Sequence, residues 1–379
     1  MAPFISWAAV LMALAGAPPQ QLPPDVVLLS KIKARVAEEL VRLPDFTCIE
    51  TIRRSLLYHS SATPDTVDTV RLEVAFVNGK ELYGWPGAGR IDQADLGRLV
   101  GGSIGNGYFA LFLNNIFLVR STTFQYVGPI KLDGQDTIQY DYKVPQIAGA
   151  YHLRSTLGTA TVGYHGSFWV KEGTVDPIRI KVIVDDVPQD IGFSAATSEL
   201  DYGTISIAGR SYVLPHSADI VLTDTHGNQH TNDLSFQTCH EFVGESTVKF
   251  ESSETQSEIA LPEEFTAALS LVTPLDSKTA AGGDRIEATL DSDLAVPGGV
   301  IPKGAKFSGR VGHATKNGAA YSLDLVFTAI DFPGAHVDIG DRVNQSSVKD
   351  RIGQSSSGEV RIESGAHVAL HSGSSKSAK

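Results

Sequence analysis

Val70, Leu72, Val74 and Phe76 alternate with Arg71, Glu73 and Ala75, and Asn78-Gly79 follows at once. An alternation of period two puts one face of a strand in a core and the other toward solvent. Asn-Gly supplies the two positive φ angles of a type I′ turn, so 80–83 must return as the partner strand. This pattern recurs. Ile178, Ile180, Val182 and Val184 alternate; Ile205 and Ile207 turn through Gly209 into Tyr212 and Leu214; Ile220 and Leu222 reach a turn at His226-Gly227-Asn228. Short connections between such segments leave an antiparallel meander as the natural arrangement.

Helical signals are few. Leu29, Ile32, Val36, Leu40 and Leu43 recur at three and four residues, with Lys31, Lys33, Arg35, Glu38 and Glu39 on the other face and Pro44 as a stop. Two further short pieces, 92–100 and 108–117, are split by a glycine-rich stretch at 101–107. The expectation is an α+β fold: an antiparallel curled sheet with lid helices over 25–250. A second, small all-β barrel or sandwich domain follows over 261–371. The Ser/Glu/Thr-rich 251–260 reads as the linker and 372–379 as a polar disordered tail. Leu269, Leu271, Ile286, Leu290, Val300, Phe307, Val311, Leu323, Leu325 and Phe327 would fill the second core. A chain of 379 residues is long enough for two such units.

Phe4 to Leu14 is a short apolar run ending in Ala13-Leu14-Ala15, the pattern of a secretory signal peptide over 1–15, with the amino terminus as its only positive charge. It is too short to span a bilayer as a helix. Export to the periplasm or beyond the cell gives Cys48 and Cys239, the two cysteines, an oxidising compartment in which to pair; two buried thiols are the alternative. The formal net charge of -12 argues against nucleic acid or an anionic membrane surface as the main partner.

No catalytic constellation stands out, and no cofactor or metal is expected. Gly101-Gly102-Ser103-Ile104-Gly105 matches G-x-S-x-G, but the strand-turn-helix context that exposes a nucleophile is missing, and a glycine hinge is the simpler reading. Asp224, His226 and His230 cluster, but the two histidines flank a turn and would point in unrelated directions. Asp185-Asp186 follows a strand, and Asp291-Ser292-Asp293 lacks the rest of a calcium loop. Aromatic residues are dense between 83 and 169. Trp85, Tyr108, Phe112, Phe117 and Trp169 are the residues expected to line an apolar hollow between curled sheet and helices, where each buried methylene of a ligand is worth about 0.8 kcal/mol.

Two segments resemble known families. A leading helix, 26–43, runs into a strand at Phe46; later, Gly166-Ser167-Phe168-Trp169-Val170 is followed by Asp176-Pro177-Ile178-Arg179-Ile180. These features resemble the bacterial lipoprotein-carrier (LolA/LolB-like) half-barrel, in which helices lid an apolar cavity. The resemblance implies a non-enzymatic binder of a lipid or an acylated protein. Thr273-Pro274-Leu275-Asp276-Ser277-Lys278, Gly283-Asp284-Arg285-Ile286-Glu287-Ala288 and Ile301-Pro302-Lys303-Gly304-Ala305-Lys306 are similar to the TrbI-like β-barrel of conjugal-transfer proteins. That similarity implies a barrel that docks on an envelope protein partner. A ligand-free structural scaffold of the envelope is the alternative, and a hydrolase using Ser103 a third.

Overall fold

The computed structural model describes residues 22–88, 91, 96–101, 107–148, 151–155, 157–242, 261–262, 264–317, 320–339, 346–348 and 361–372. The expected signal peptide and linker lie outside them, as do Ser103 and all of the expected tail except Ser372.

Helix α1, Pro24–Arg42, begins with Pro in its first turn, where a fixed φ helps and no N–H is lost. Ile32 and Val36, on its inward stripe, are 0% and 1% exposed. The first strands follow: β1 Phe46–Leu57, β2 Asp65–Val77 and β3 Lys80–Gly84. Asn78 and Gly79 have φ of 51° and 75°, as the type I′ reading requires. Helices α2 (Leu96–Val100) and α3 (Leu111–Leu113) come next, α3 continuing as a π-turn over Asn114–Leu118. Strands β4 Thr123–Leu132 and β5 Gln135–Val144 form a hairpin. The ribbon β6 (His152–Arg154) with β7 (Thr159–Thr161) leads to β8 Tyr164–Lys171, β9 Pro177–Val184, β10 Phe193–Ile207, β11 Arg210–Asp224 and β12 Gln229–Glu241.

All pairings among these strands are antiparallel. The order β3-β2-β1-β12-β11-β10-β9-β8-β5-β4 joins the first long strand to the last. The register lines up one inward row across eight strands: Val70, Ile52, Leu234, Ala218, Leu200, Ile180, Phe168 and Tyr140. α1 crosses this inner face. The Tyr140 hydroxyl donates to the Asp25 carbonyl (2.7 Å) at one end, and the Val213 N–H donates to Glu39 (3.3 Å) at the other. A disulfide, Cys48–Cys239, staples β1 to β12 where their register shifts.

The second unit contains β13 Phe265–Leu271, β14 Leu275–Asp276, β15 Arg285–Leu290, β16 Leu294–Val296 and β17 Gly299–Ile301. It continues with β18 Lys306–Asn317, β19 Ala320–Phe332, β20 Ala335–Asp338, β21 Ser346–Val348, β22 Arg361–Ile362 and β23 His367–Ser372. Its ladder is β23-β13-β15-β18-β19, with β20 and β21 both on the far side of β19. Among the described residues no hydrogen-bonded ladder joins β23 to β20 or β21, although β21 and β23 lie next to each other. It has its own apolar core around Leu269, Ile286, Phe307, Val311, Leu325 and Phe327. Val300, expected there, is 53% exposed; alternation turns it outward because its neighbour Ile301, at 0%, faces in. Ser372, expected in the tail, pairs with Phe265 at the end of β23.

The two units meet along a hydrogen-bonded seam. The Gly282 N–H donates to the Thr69 carbonyl (2.8 Å) and the Gly282 carbonyl accepts from Arg71 N–H (2.7 Å), which makes a single parallel bridge between Gly282 and Val70 of β2. Arg71 pairs with Asp284, Arg285 Nε donates to the Pro86 carbonyl (2.9 Å), and the Arg310 guanidinium lies 4.5 Å over the Trp85 ring. Gly283 has φ +98°, and a Cβ there would sit 2.1 Å from the Arg71 carbonyl oxygen, so only glycine lets the chains approach this closely.

Candidate functional site: a helical plug over the inner face

The segment 107–118 plugs the inner face of the first sheet. Glu81, on β3, receives it: one carboxylate oxygen accepts from Gly107 N–H (2.6 Å) and the Tyr83 hydroxyl (2.6 Å), the other from Phe109 N–H (2.8 Å). Beyond this anchor the plug is aromatic. The Phe109 ring centroid lies 5.1 Å from Phe46 and 5.0 Å from Phe236, and Tyr108 lies 5.9 Å from Phe236. Phe112 packs on Tyr151 (5.3 Å) and Tyr164 (6.0 Å), and Phe117 on Phe168 (4.8 Å). These are mostly edge-to-face contacts, the geometry that ring quadrupoles favour.

Of the five residues expected to line a hollow, Tyr108, Phe112 and Phe117 come together here, each at 2% exposure or less. The other two do not join them. Trp169 alternates with buried Phe168 and Val170 and so projects from the opposite face of β8. Trp85 stands at the seam, lining a cleft of about 130 Å³ with Arg54, Asp68, Val100 and Arg310.

The seat of the plug contains a residue that the expected lining set omitted. Glu50 is 0% exposed, at a position of β1 that faces the core between its cross-strand neighbours Leu72 and Phe236. Neither of its carboxylate oxygens has a hydrogen-bond partner among the described residues, nor do the hydroxyls of Tyr108 and Tyr202. Burial holds the Glu50 carboxyl well above the usual carboxylate range, and the nearby charge of Glu81 pushes the same way. Burial also raises Glu81, against the hydrogen bonds it accepts from Tyr83, Phe109, Gly107 and Tyr108. Burial, followed by the two glutamates, pushes the Tyr83 hydroxyl far up. The sequence signal was there: Phe46, Cys48, Glu50 and Ile52 share one parity, and a glutamate in that row lies on a buried face.

The other polar clusters act locally. Asp224 accepts from His226 N–H (2.8 Å), Asn228 N–H (2.9 Å) and Asn228 Nδ2 (2.8 Å), which ties the β11–β12 turn together. Asp185 bonds His165 (2.6 Å), and Asp291 bonds Ser270 (2.6 Å) and His367 (2.9 Å). Among the described residues no group of three or more His, Cys, Asp and Glu side chains could hold a metal ion.

No protein-family model matches the sequence, and no curated protein matches it. Among solved structures, a domain described as an outer membrane lipoprotein-sorting protein, from Vibrio parahaemolyticus, is 15% identical, covering 55% of this chain and 92% of its own at a TM-score of 0.28. A LolA superfamily protein from Nitrosomonas europaea is 11% identical, covering 57% and 94% at 0.30. A DUF1329 family protein from Desulfovibrio piger is 15% identical, covering 61% and 99% at 0.29. Likenesses at these scores carry no function to this chain; its architecture stands on its own strand pairing.

Proposed function

We propose that this chain is an exported, non-enzymatic binding protein of LolA-like design. It takes an apolar ligand, a lipid or the acyl chain of an acylated protein, between the inner face of the first sheet and the plug. One observation carries the reading. The plug closes on buried polar groups without partners, Glu50, Tyr108 and Tyr202, each of which costs about 1–3 kcal/mol relative to a satisfied seat. A closed state burdened in this way is poised to exchange its own aromatics for a ligand. The Cys48–Cys239 disulfide supports a periplasmic or secreted location. The second unit, similar to a TrbI-like barrel in its turns, would dock the carrier on an envelope protein partner.

A scaffold without ligand is the second reading, favoured by the tight burial of Tyr108, Phe112 and Phe117. Native mass spectrometry with lipid extraction, on protein purified from a bacterial periplasm, separates the two. Binding requires a stoichiometric co-purifying or added lipid. A clean apo mass, with no uptake of added lipid, would leave the scaffold.

A further inference from the structure

The seat of the plug is unusual for a surface that would meet only hydrocarbon. Glu50 sits on β1 and Glu81 on β3, with β2 between them, both on the inner face; both carboxyls are pushed up by burial, and Glu81 adds its charge to the shift at Glu50. Glu81 spends its oxygens on Tyr83 and the plug backbone. Glu50 keeps both of its oxygens without a partner among the described residues, beneath Tyr108, whose hydroxyl is equally without one. The closed seat therefore leaves the two Glu50 oxygens and the Tyr108 hydroxyl unengaged. Apolar and aromatic surface surrounds it: Leu72 and Phe236 flank Glu50 in register, and Phe109 packs on Phe46, Phe76 and Phe236. An ammonium supplies what is missing, namely three donors, a positive charge against buried carboxylates, and a favourable fit to ring faces.

Resting on the proposed binding of an apolar chain, we infer that the ligand is a cationic amphiphile, whose primary ammonium head sits between Glu50, Glu81 and the Tyr108 hydroxyl while its alkyl chain lies under the plug. In the empty seat burial favours the protonated form of Glu50, with Glu81, Tyr83 and Tyr108 as the titratable groups facing it and Tyr202 facing Glu81. When R–NH₃⁺ enters, Glu50 ionises to form the ion pair and its proton leaves to bulk water. No bond to carbon forms or breaks. Ammonium binding should therefore release up to one proton and tighten as pH rises, whereas a neutral alcohol of the same chain length should show neither effect.

The test compares octylammonium with octanol by isothermal titration calorimetry on the full chain. Titrations at pH 5.5 and 7.5, in two buffers of different ionisation enthalpy, read the proton release directly. The expected result is octylammonium tighter by about tenfold or more at pH 7.5, with proton release and a preference that shrinks at pH 5.5. In Glu50→Gln the two ligands should bind alike. Octanol binding as tightly as octylammonium, or no proton release in the wild-type chain, would overturn the inference while leaving apolar binding intact. Failure of both ligands to bind would overturn apolar binding and this inference together. The wild-type pH and buffer series does not depend on the variant folding.

Discussion

Replacing Glu50 by leucine should make this protein more stable, and by an amount that grows with pH. Glu50 is fully buried between Leu72 and Phe236, and its ordinary value is 4.5. Burial raises the folded-state value, so the folded chain holds the proton more tightly than the unfolded chain does. The sign follows from linkage. Below about pH 4.5 both states are protonated and the group costs nothing by titration. Above it, unfolding releases a proton, and stability falls by about 1.4 kcal/mol per pH unit for as long as folded Glu50 stays protonated. Between pH 5 and pH 7 the wild-type chain should thus lose stability relative to Glu50→Leu, with a ceiling of about 3 kcal/mol set by one proton over two pH units. To this is added about 1–3 kcal/mol, independent of pH, from removing two unpartnered oxygens. Urea unfolding followed by tryptophan fluorescence, at both pH values and on both chains, measures the difference, in which titrations distant from the Glu50–Glu81 pair cancel. Parallel pH dependences would refute the argument, since they would mean that Glu50 is solvated or paired in the folded chain. A less stable leucine variant would refute the claim that the carboxyl lacks partners.

Three further outcomes follow from the packing. Substituting both Cys48 and Cys239 by Ala removes a cross-link between residues 191 apart, which in the chain-entropy view costs about 5 kcal/mol; equal urea midpoints for oxidised and substituted chains would contradict this. Ile32→Ala on α1 empties a fully buried site against the sheet and should cost about 3 kcal/mol, read by thermal unfolding, with no loss if α1 is not docked. Gly283→Ala puts a Cβ against the Arg71 carbonyl at a positive φ and should cost roughly 1–3 kcal/mol, with faster amide exchange at Gly282 and Arg71. Unchanged exchange there would mean that the seam does not need the close approach.

Much of the fold was legible because its signals are local. α1 over 24–42, the Asn78-Gly79 hairpin, the Gly209 and Gly227 turns and the aromatic β8 meeting a Pro-led β9 each depend on neighbours within a few residues. The candidate site was legible only in part. Tyr108, Phe112 and Phe117 converge as an aromatic-rich stretch under a lid should, but Trp169 is turned away by strand parity and Trp85 is captured by Arg310 of the other unit. Glu50 went unread because a charged residue in an apolar row is ordinarily a sign of solvent, and burial is a property of what covers a strand.

By itself, then, the sequence determined which segments are strands, which face of each is apolar, where the chain reverses and that two cysteines are available to pair. Period-two patterning and turn chemistry need no distant partner. Tertiary structure alone decided that β1 lies beside β12, bringing Cys48 to Cys239; that Tyr108 of the plug lies against Glu50; and that Gly282 bridges to the edge of β2. These contacts join residues between about 30 and more than 200 positions apart. Which distant partner wins is set by the burial and hydrogen bonding of the whole assembled surface, a sum that no local window of residues contains.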